Sequence, residues 1–133
     1  MQKQPIFQVD AFTSHLFGGN HAAVCPLTHW LSDQQMQLIA QENNLSEAAF
    51  IVQNQDHYQI RWFTPNTEVA LCGHATLASA FVIFEFLNHK TNTIVFHSQS
   101  GELRVQKMNI YCKWISLPYL IPKYIPHQSY LLQ

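Results

Sequence analysis

The sequence predicts an α+β domain in which a curved sheet, or barrel, wraps around a central apolar helix. The inferred elements run strands, helix, strands, helix, strands, which differs from regular βαβ alternation. Residues 71–87 are apolar on nearly every side of the helix that they would form, so this helix must be buried. The chain has 133 residues, 47% of them hydrophobic, which fits one domain with a sizeable core.

The first half of the chain is predicted to contain one helix among four strands. Apolar runs bounded by polar or glycine-containing turns predict strands at residues 6–12, 22–27, 48–52 and 58–63. Ser32 and Gln35 form a capping-box pattern, and Leu31 and Met36 have the spacing of a hydrophobic staple. These signals predict a helix over residues 32–42.

The second half is predicted to contain the buried helix and about three further strands. Cys72, Gly73 and His74 lie where this helix would begin. Residues 93–97 and 102–107 flank the turn sequence SQSG and predict a hairpin, and residues 111–117 predict another strand.

The end of the chain differs in composition from the rest. Pro118, Pro122 and Pro126 recur every four residues, a pattern that excludes a helix or a central strand there. We therefore expect one domain over residues 1–117, followed by a proline-rich inter-domain linker over residues 118–133.

Charge and cysteine content exclude several classes of protein. Seven Lys and Arg residues against eight Asp and Glu leave no basic surplus, which argues against nucleic-acid or anionic-membrane binding. No apolar run reaches the length of a membrane span, and the N-terminus lacks the pattern of a signal peptide, so a cytoplasmic protein is expected. The three cysteines are too widely spaced to predict a disulfide framework or a Cys-x-x-Cys metal site, and we predict neither metal nor cofactor.

Glu47 is the first candidate for chemistry. It lies between an Asn/Ser turn and the apolar start of a strand. Partial burial would disfavour its ionised form and suit it to moving protons. The alternative is a solvated glutamate at the end of a strand.

Three further residues have a functional and a structural interpretation. His74 could bind a substrate or act as a general acid, or it could complete a helix cap. Cys72 could be a thiolate stabilised by the helix N-terminus, or a buried apolar filler. Asn20 follows two glycines and could orient a polar ligand, or it could be an ordinary turn residue. The other seven histidines show no pair at metal-ligand spacing, and we interpret them as surface or core residues.

Five motifs occur in an order that resembles a known family. They are QVDAFT, the GGN loop, LSDQQMQLIAQENNLSEAAF, IRWFTP and EVALCGHATLASA. Together they resemble the N-terminal half of the PhzF-like phenazine-biosynthesis family, whose members are related to diaminopimelate epimerase. The resemblance extends over residues 8–104, and it implies a half in which a mixed sheet wraps around a central helix.

The resemblance also implies an activity and a set of site residues. Glu47 would be the acid/base residue that relocates a proton during isomerisation of a cyclic hydroxylated amino acid, dihydrohydroxyanthranilate in the named pathway. His74 would hold or protonate the substrate. The polar groups of this small carboxylate would be bound by Asn20 and Ser46, and by the backbone around Cys72, Gly73 and Ala75, where the helix N-terminus would face the carboxylate.

This chain departs from the family pattern in two respects. Where the family usually has Gly-Asn-Pro, the chain has Gly19-Asn20-His21. His21 lacks the fixed φ angle of proline and adds an ionisable ring. The chain is also about half as long as family members, so we expect a homodimer in which a second copy completes the cleft. The alternative is a truncated, inactive module that binds small ligands or a partner protein.

Overall fold

The computed structural model describes residues 5–11, 20–43, 47–107, 113–114 and 130–132. These residues form nine strands and two helices. The strands are β1 (Phe7–Ala11), β2 (Asn20–Leu27), β3 (Glu47–Asn54), β4 (His57–Phe63), β5 (Glu68–Val69), β6 (Thr93–Ser98), β7 (Gly101–Lys107), β8 (Lys113–Trp114) and β9 (Tyr130–Leu132). The helices are α1 (Asp33–Asn43) and α2 (Gly73–Phe86).

All nine strands belong to one mixed sheet with the order β1-β2-β3-β4-β6-β7-β9-β8, and β5 pairs with β4 beside this path. The pairs β2 with β3, β4 with β6, and β8 with β9 are parallel, whereas the remaining pairs are antiparallel. The predicted α+β class and the mixed sheet are confirmed. Within the described part of the chain the sheet is open, because β1 and β8 form its two ends and do not pair.

The two helices pack on opposite faces of the sheet. Alternate residues of β2 and β3, such as Val24 and Ala49, belong to a core cluster that includes α2. Their neighbours Ala23 and Ala48 belong to a second cluster with Met36 and Ala40 of α1. This division follows from the period of two along a strand, which sends successive side chains to opposite faces.

Local sequence signals position α1 as predicted. The backbone N–H of Gln35 donates to Ser32 Oγ at 3.1 Å, and the backbone N–H of Ser32 donates to Gln35 Oε1 at 3.1 Å. This reciprocal pair is the expected capping box. At the other end of the helix, the Asn43 side chain donates to the Ile39 carbonyl at 2.8 Å.

The apolar helix α2 is buried along most of its length, as its sequence requires. Eight consecutive or near-consecutive residues are buried, including the polar Thr76 and Ser79. Both hydroxyls donate to carbonyls one turn earlier, those of Cys72 and Ala75, at 2.7 Å. Each buried hydroxyl therefore has a hydrogen-bond partner. In the described residues, no helix is long and apolar enough to span a membrane.

Two parts of the sheet differ from the expectation drawn from sequence. The strand β5 is only two residues long, too short to give a periodic signal, and it was not predicted. Within the stretch expected to be a linker, Tyr130–Leu132 form β9 between β7 and β8. The prolines at positions 118, 122 and 126 lie outside the described residues.

Candidate active site

The candidate site lies where β2 and β3 begin. These strands are parallel, and Ala22 of β2 is paired with Glu47, the first residue of β3. The N-terminal ends of both strands therefore lie at one edge of the sheet. Helix α2 begins at the same place, because its second residue, His74, contacts Glu47.

Glu47 and His74 form the central pair of this site. Glu47 Oε2 lies 2.8 Å from His74 Nε2, and the two side chains are only 19% and 14% exposed. The contact is a close approach of a carboxylate oxygen to a ring nitrogen, and its geometry is not that of an aligned hydrogen bond. Glu47 Oε2 is buried and has no hydrogen-bond partner among the described residues. The interpretation of Glu47 as a solvated residue at a strand end is thus wrong.

Burial and Glu47 have opposite effects on the protonation of His74. Burial lowers the pKa of the imidazole below its usual value of 6.5 and is the largest influence on it. The Glu47 carboxylate and a hydrogen bond to the His21 backbone carbonyl oppose this effect by favouring the charged ring. Because burial prevails, His74 is neutral near pH 7 and is able both to give and to accept a proton.

Cys72 occupies the N-cap position of α2 and is 7% exposed. Its sulfur lies 3.5 Å from His74 Nδ1. Burial raises the pKa of the thiol to about 12, and the nearby Glu47 charge acts in the same direction, whereas the backbone N–H of Ala75 opposes both. The thiol therefore stays protonated at neutral pH, which favours the interpretation of Cys72 as a buried filler over that of a thiolate nucleophile.

The three side chains meet closely enough to act on one bound group. One side-chain atom from each residue, a carboxylate oxygen of Glu47, the sulfur of Cys72 and a ring nitrogen of His74, lies within 4.8 Å of the other two. A carboxylate and a neutral imidazole at this distance can accept a proton from one atom and return it to another. The adjoining first turn of α2 contributes backbone N–H groups and the positive end of the helix dipole, which attract an anion.

The other predicted site residues divide into three groups. Gly73 is the first residue of α2 and is partly exposed, whereas the Ala75 side chain is fully buried, so that only its backbone is available to a ligand. Asn20 is the first residue of β2, but its side chain is not among those described. Ser46 lies outside the described residues.

One residue of the site was not identified from the sequence. The backbone carbonyl of His21 accepts a hydrogen bond from the His74 ring. His21 had been noted only as the residue that replaces the family proline and was otherwise grouped with the surface or core histidines. His21 immediately precedes Ala22, which pairs with Glu47. This pairing places His21 at the site, but it can be recognised only when the strand register is known.

Comparison with known proteins identifies the family of this chain. A family model described as PhzC-PhzF, phenazine biosynthesis-like protein, matches residues 9–120. An uncharacterized isomerase of Pseudomonas aeruginosa is 55% identical over 102 residues, which are 77% of this chain and 39% of that protein. A crystal structure of a PhzF-family phenazine biosynthesis protein from Enterococcus faecalis is 45% identical with a TM-score of 0.76, over 86% of this chain and 48% of that chain.

A more distant structure shares the fold alone. The predicted epimerase from Pseudomonas aeruginosa is 23% identical with a TM-score of 0.71, over 80% of this chain and 39% of that chain.

The chain thus spans less than half the length of the proteins that it matches. The family match covers most of the sequence. The chain belongs to the PhzC-PhzF family of phenazine biosynthesis-like proteins.

Proposed function

We propose that this chain provides the acid/base half of an isomerase site that relocates a proton on a small cyclic hydroxylated amino acid. The observation that carries the proposal is the 2.8 Å approach of Glu47 Oε2 to His74 Nε2. Family membership and similarity to an uncharacterized isomerase support isomerisation as the class of reaction.

In this mechanism the Glu47 carboxylate removes a proton from a ring carbon of the substrate. The electron pair left on carbon shifts through the adjoining double bond, and Glu47 returns the proton at the far carbon, so that no other reactant is consumed. The neutral His74 ring lies against Glu47 and exchanges protons with it. Its low basicity suits this role, because a permanently charged imidazolium would hold the carboxylate in an ion pair.

The substrate carboxylate would lie at the N-terminus of α2. Gly73 and Ala75 would offer backbone N–H groups there, and Asn20 and Ser46 would bind the remaining polar groups. Cys72 would shape the pocket as a neutral thiol, which fits its burial and the raised pKa of its sulfur.

We further propose that a second copy of the chain supplies the opposite wall of the cleft. The motivation is the family resemblance, which implies a site in a cleft between two halves, the first of which this chain resembles. We also propose that the sheet curves around α2. The contacts that α2 makes with β1, β2 and β3, and with β7 and β9 from the other half of the sheet, support this arrangement.

Solvent exchange tests the proposed chemistry. The full chain is incubated in D2O with saturating dihydrohydroxyanthranilate and a metal chelator, and deuterium incorporation into the ligand is followed by mass spectrometry. Exchange by the unmodified protein, its loss in Glu47→Gln and its retention in Glu42→Gln would support the proposal. Glu42 is a matched control because it is an exposed glutamate on α1.

Two results would overturn the acid/base proposal. One is exchange that persists in Glu47→Gln, and the other is binding of the ligand by the unmodified protein without any exchange. The second result would indicate the alternative function, an inactive module that binds small ligands. Light scattering after size exclusion, across a tenfold dilution, tests the dimer separately, since a stable monomer would exclude a cleft completed by a second copy.

A further inference from the structure

Glu47, Cys72 and His74 bring three different metal-binding atoms together. A carboxylate oxygen, a sulfur and an imidazole nitrogen lie within 4.8 Å of one another, although Glu47 is distant from the other two in sequence. No spacing motif marks such a set, which is why it was not predicted from the sequence. Sulfur and imidazole ligands favour Zn²⁺ over Mg²⁺ or Ca²⁺, which prefer oxygen.

The separations are close to those of a tetrahedral zinc site. Bond lengths of about 2.0 Å to N and O and about 2.3 Å to S place N and O roughly 3.3 Å apart, and N and S roughly 3.6 Å apart, at the tetrahedral angle. In the structure, His74 Nε2 lies 2.8 Å from Glu47 Oε2 and 4.0 Å from Cys72 Sγ. Changes of about 0.5 Å would therefore bring these two separations to tetrahedral values. The Glu47 oxygen and the Cys72 sulfur lie within 4.8 Å of each other.

The surroundings of the cluster also fit a metal site. The His74 ring donates to the His21 backbone carbonyl, and a neutral imidazole that donates through one nitrogen leaves the lone pair of the other free. Glu47 Oε2 is buried and lacks a hydrogen-bond partner among the described residues. A buried oxygen without a donor is costly, and coordination to a cation would satisfy it.

We propose that Glu47, Cys72 and His74 bind one Zn²⁺, with the fourth tetrahedral position open to water or a small anion. On binding, the Cys72 thiol loses its proton to solvent and its sulfur becomes a thiolate ligand. Zinc would occupy the lone pairs of Glu47 and His74 and so block proton transfer between them. This inhibitory consequence rests on the proposed isomerase chemistry, whereas the binding itself does not.

Cobalt substitution tests the site directly. The full chain, reduced and freed of metal, is titrated with Co²⁺, which gives intense visible bands in a tetrahedral site and a sulfur-to-cobalt absorption in the near ultraviolet when a thiolate is a ligand. We expect both signals at one equivalent, and their loss when Zn²⁺ displaces Co²⁺. We also expect Cys72→Ala to lose the sulfur band, and Glu47→Gln to bind at least about tenfold more weakly.

Cys25 provides the matched control. It is a buried free cysteine like Cys72, but it belongs to the cluster on the α1 side of the sheet. Cys25→Ala should therefore keep the full cobalt spectrum. Circular dichroism of each variant confirms that it is folded, and a rise in the melting temperature with Zn²⁺ in the unmodified protein, absent in folded Cys72→Ala, gives a second readout.

Three results would overturn the zinc proposal. They are a sulfur band that survives in Cys72→Ala, a sulfur band that disappears in Cys25→Ala, and a chain that binds Co²⁺ without any sulfur band. Failure here leaves the isomerase proposal intact, because deuterium exchange is measured with a chelator present. Conversely, a zinc site without any exchange in the chelated protein would support this inference while removing the isomerase proposal.

Discussion

His74 Nε2, at the start of α2, lies 2.8 Å from Glu47 Oε2, at the start of β3. The pair is held by the fold rather than by flexible loops, because β3 pairs with β2 and β4 on its two sides and α2 is anchored in the core. Residues on such rigid elements keep their geometry when a ligand binds.

The protonation of His74 should report its burial and the nearby carboxylate. We expect the pKa of His74 to lie below 6.5, and to fall further in Glu47→Gln, because the negative charge that favours the imidazolium is removed. The measurement is an NMR titration of the histidine rings, in which His74 is identified by the signal missing from His74→Gln. A pKa that rises in Glu47→Gln would contradict the proposed electrostatics.

The same pKa shift predicts how stability depends on pH. A histidine whose pKa is lower in the folded protein binds more protons when unfolded, so the His74 contribution to stability is present above pH 6.5 and declines as pH falls below it. Urea unfolding between pH 5 and pH 7 should therefore show that the free energy of unfolding falls more steeply with decreasing pH in the unmodified protein than in His74→Gln. Equal slopes would mean that His74 is not buried as a neutral ring.

Cys72 should resist alkylation in the folded protein. Burial and a thiol pKa of about 12 leave almost no thiolate at pH 7.5, so iodoacetamide should modify this residue slowly. Peptide mapping by mass spectrometry measures the modified fraction. Cys72 should react readily after unfolding in guanidinium, and rapid modification in the folded, metal-free chain would show that the thiol is accessible and ionised.

The Arg61 cluster should stabilise the α1 side of the sheet. Arg61 Nε and one terminal nitrogen donate to the two oxygens of Glu68 at 2.7 and 2.8 Å, and another terminal nitrogen lies 3.0 Å from Asp33. The guanidinium also lies over the Trp30 ring, at 5.5 Å from its centre. We expect Arg61→Ala to reduce the free energy of unfolding by about 1–3 kcal/mol, measured by urea denaturation.

Arg104 is the control for this prediction. It forms one hydrogen bond to Glu102 at 2.9 Å, and both side chains are about half exposed. Arg104→Ala should cost roughly 0.5 kcal/mol or less, because exposed ion pairs contribute little. Equal losses in the two variants would show that bidentate geometry and partial burial add nothing at Arg61.

Local signals account for the parts of the fold that the sequence predicted well. The capping box at Ser32 and Gln35 needs only four consecutive positions, and the all-round apolar surface of α2 requires burial whatever covers it. The strand β5 was missed because two residues cannot show a period. The openness of the sheet depends on which strands pair, which periodicity does not specify.

Only the family resemblance placed Glu47 and His74 in one candidate site. Nothing in the spacing of Glu47 and His74 shows that they touch, since their contact depends on where α2 begins relative to the parallel strands β2 and β3. Local reasoning left a solvated Glu47 as the alternative, because glutamate is usually exposed. The role of the His21 carbonyl was not predicted, because strand register and not side-chain type determines which backbone carbonyl lies beside the His74 ring.

The most direct test of the central claim is a double-mutant cycle on deuterium exchange into dihydrohydroxyanthranilate, using the unmodified chain, Glu47→Gln, His74→Gln and the double variant. If the two residues act as a unit, each single variant should lose roughly 10²–10⁴-fold in rate, and the double variant should lose no more than about the same factor. A double variant whose loss equals the product of the two single losses would contradict the account, because it would show that Glu47 and His74 act independently.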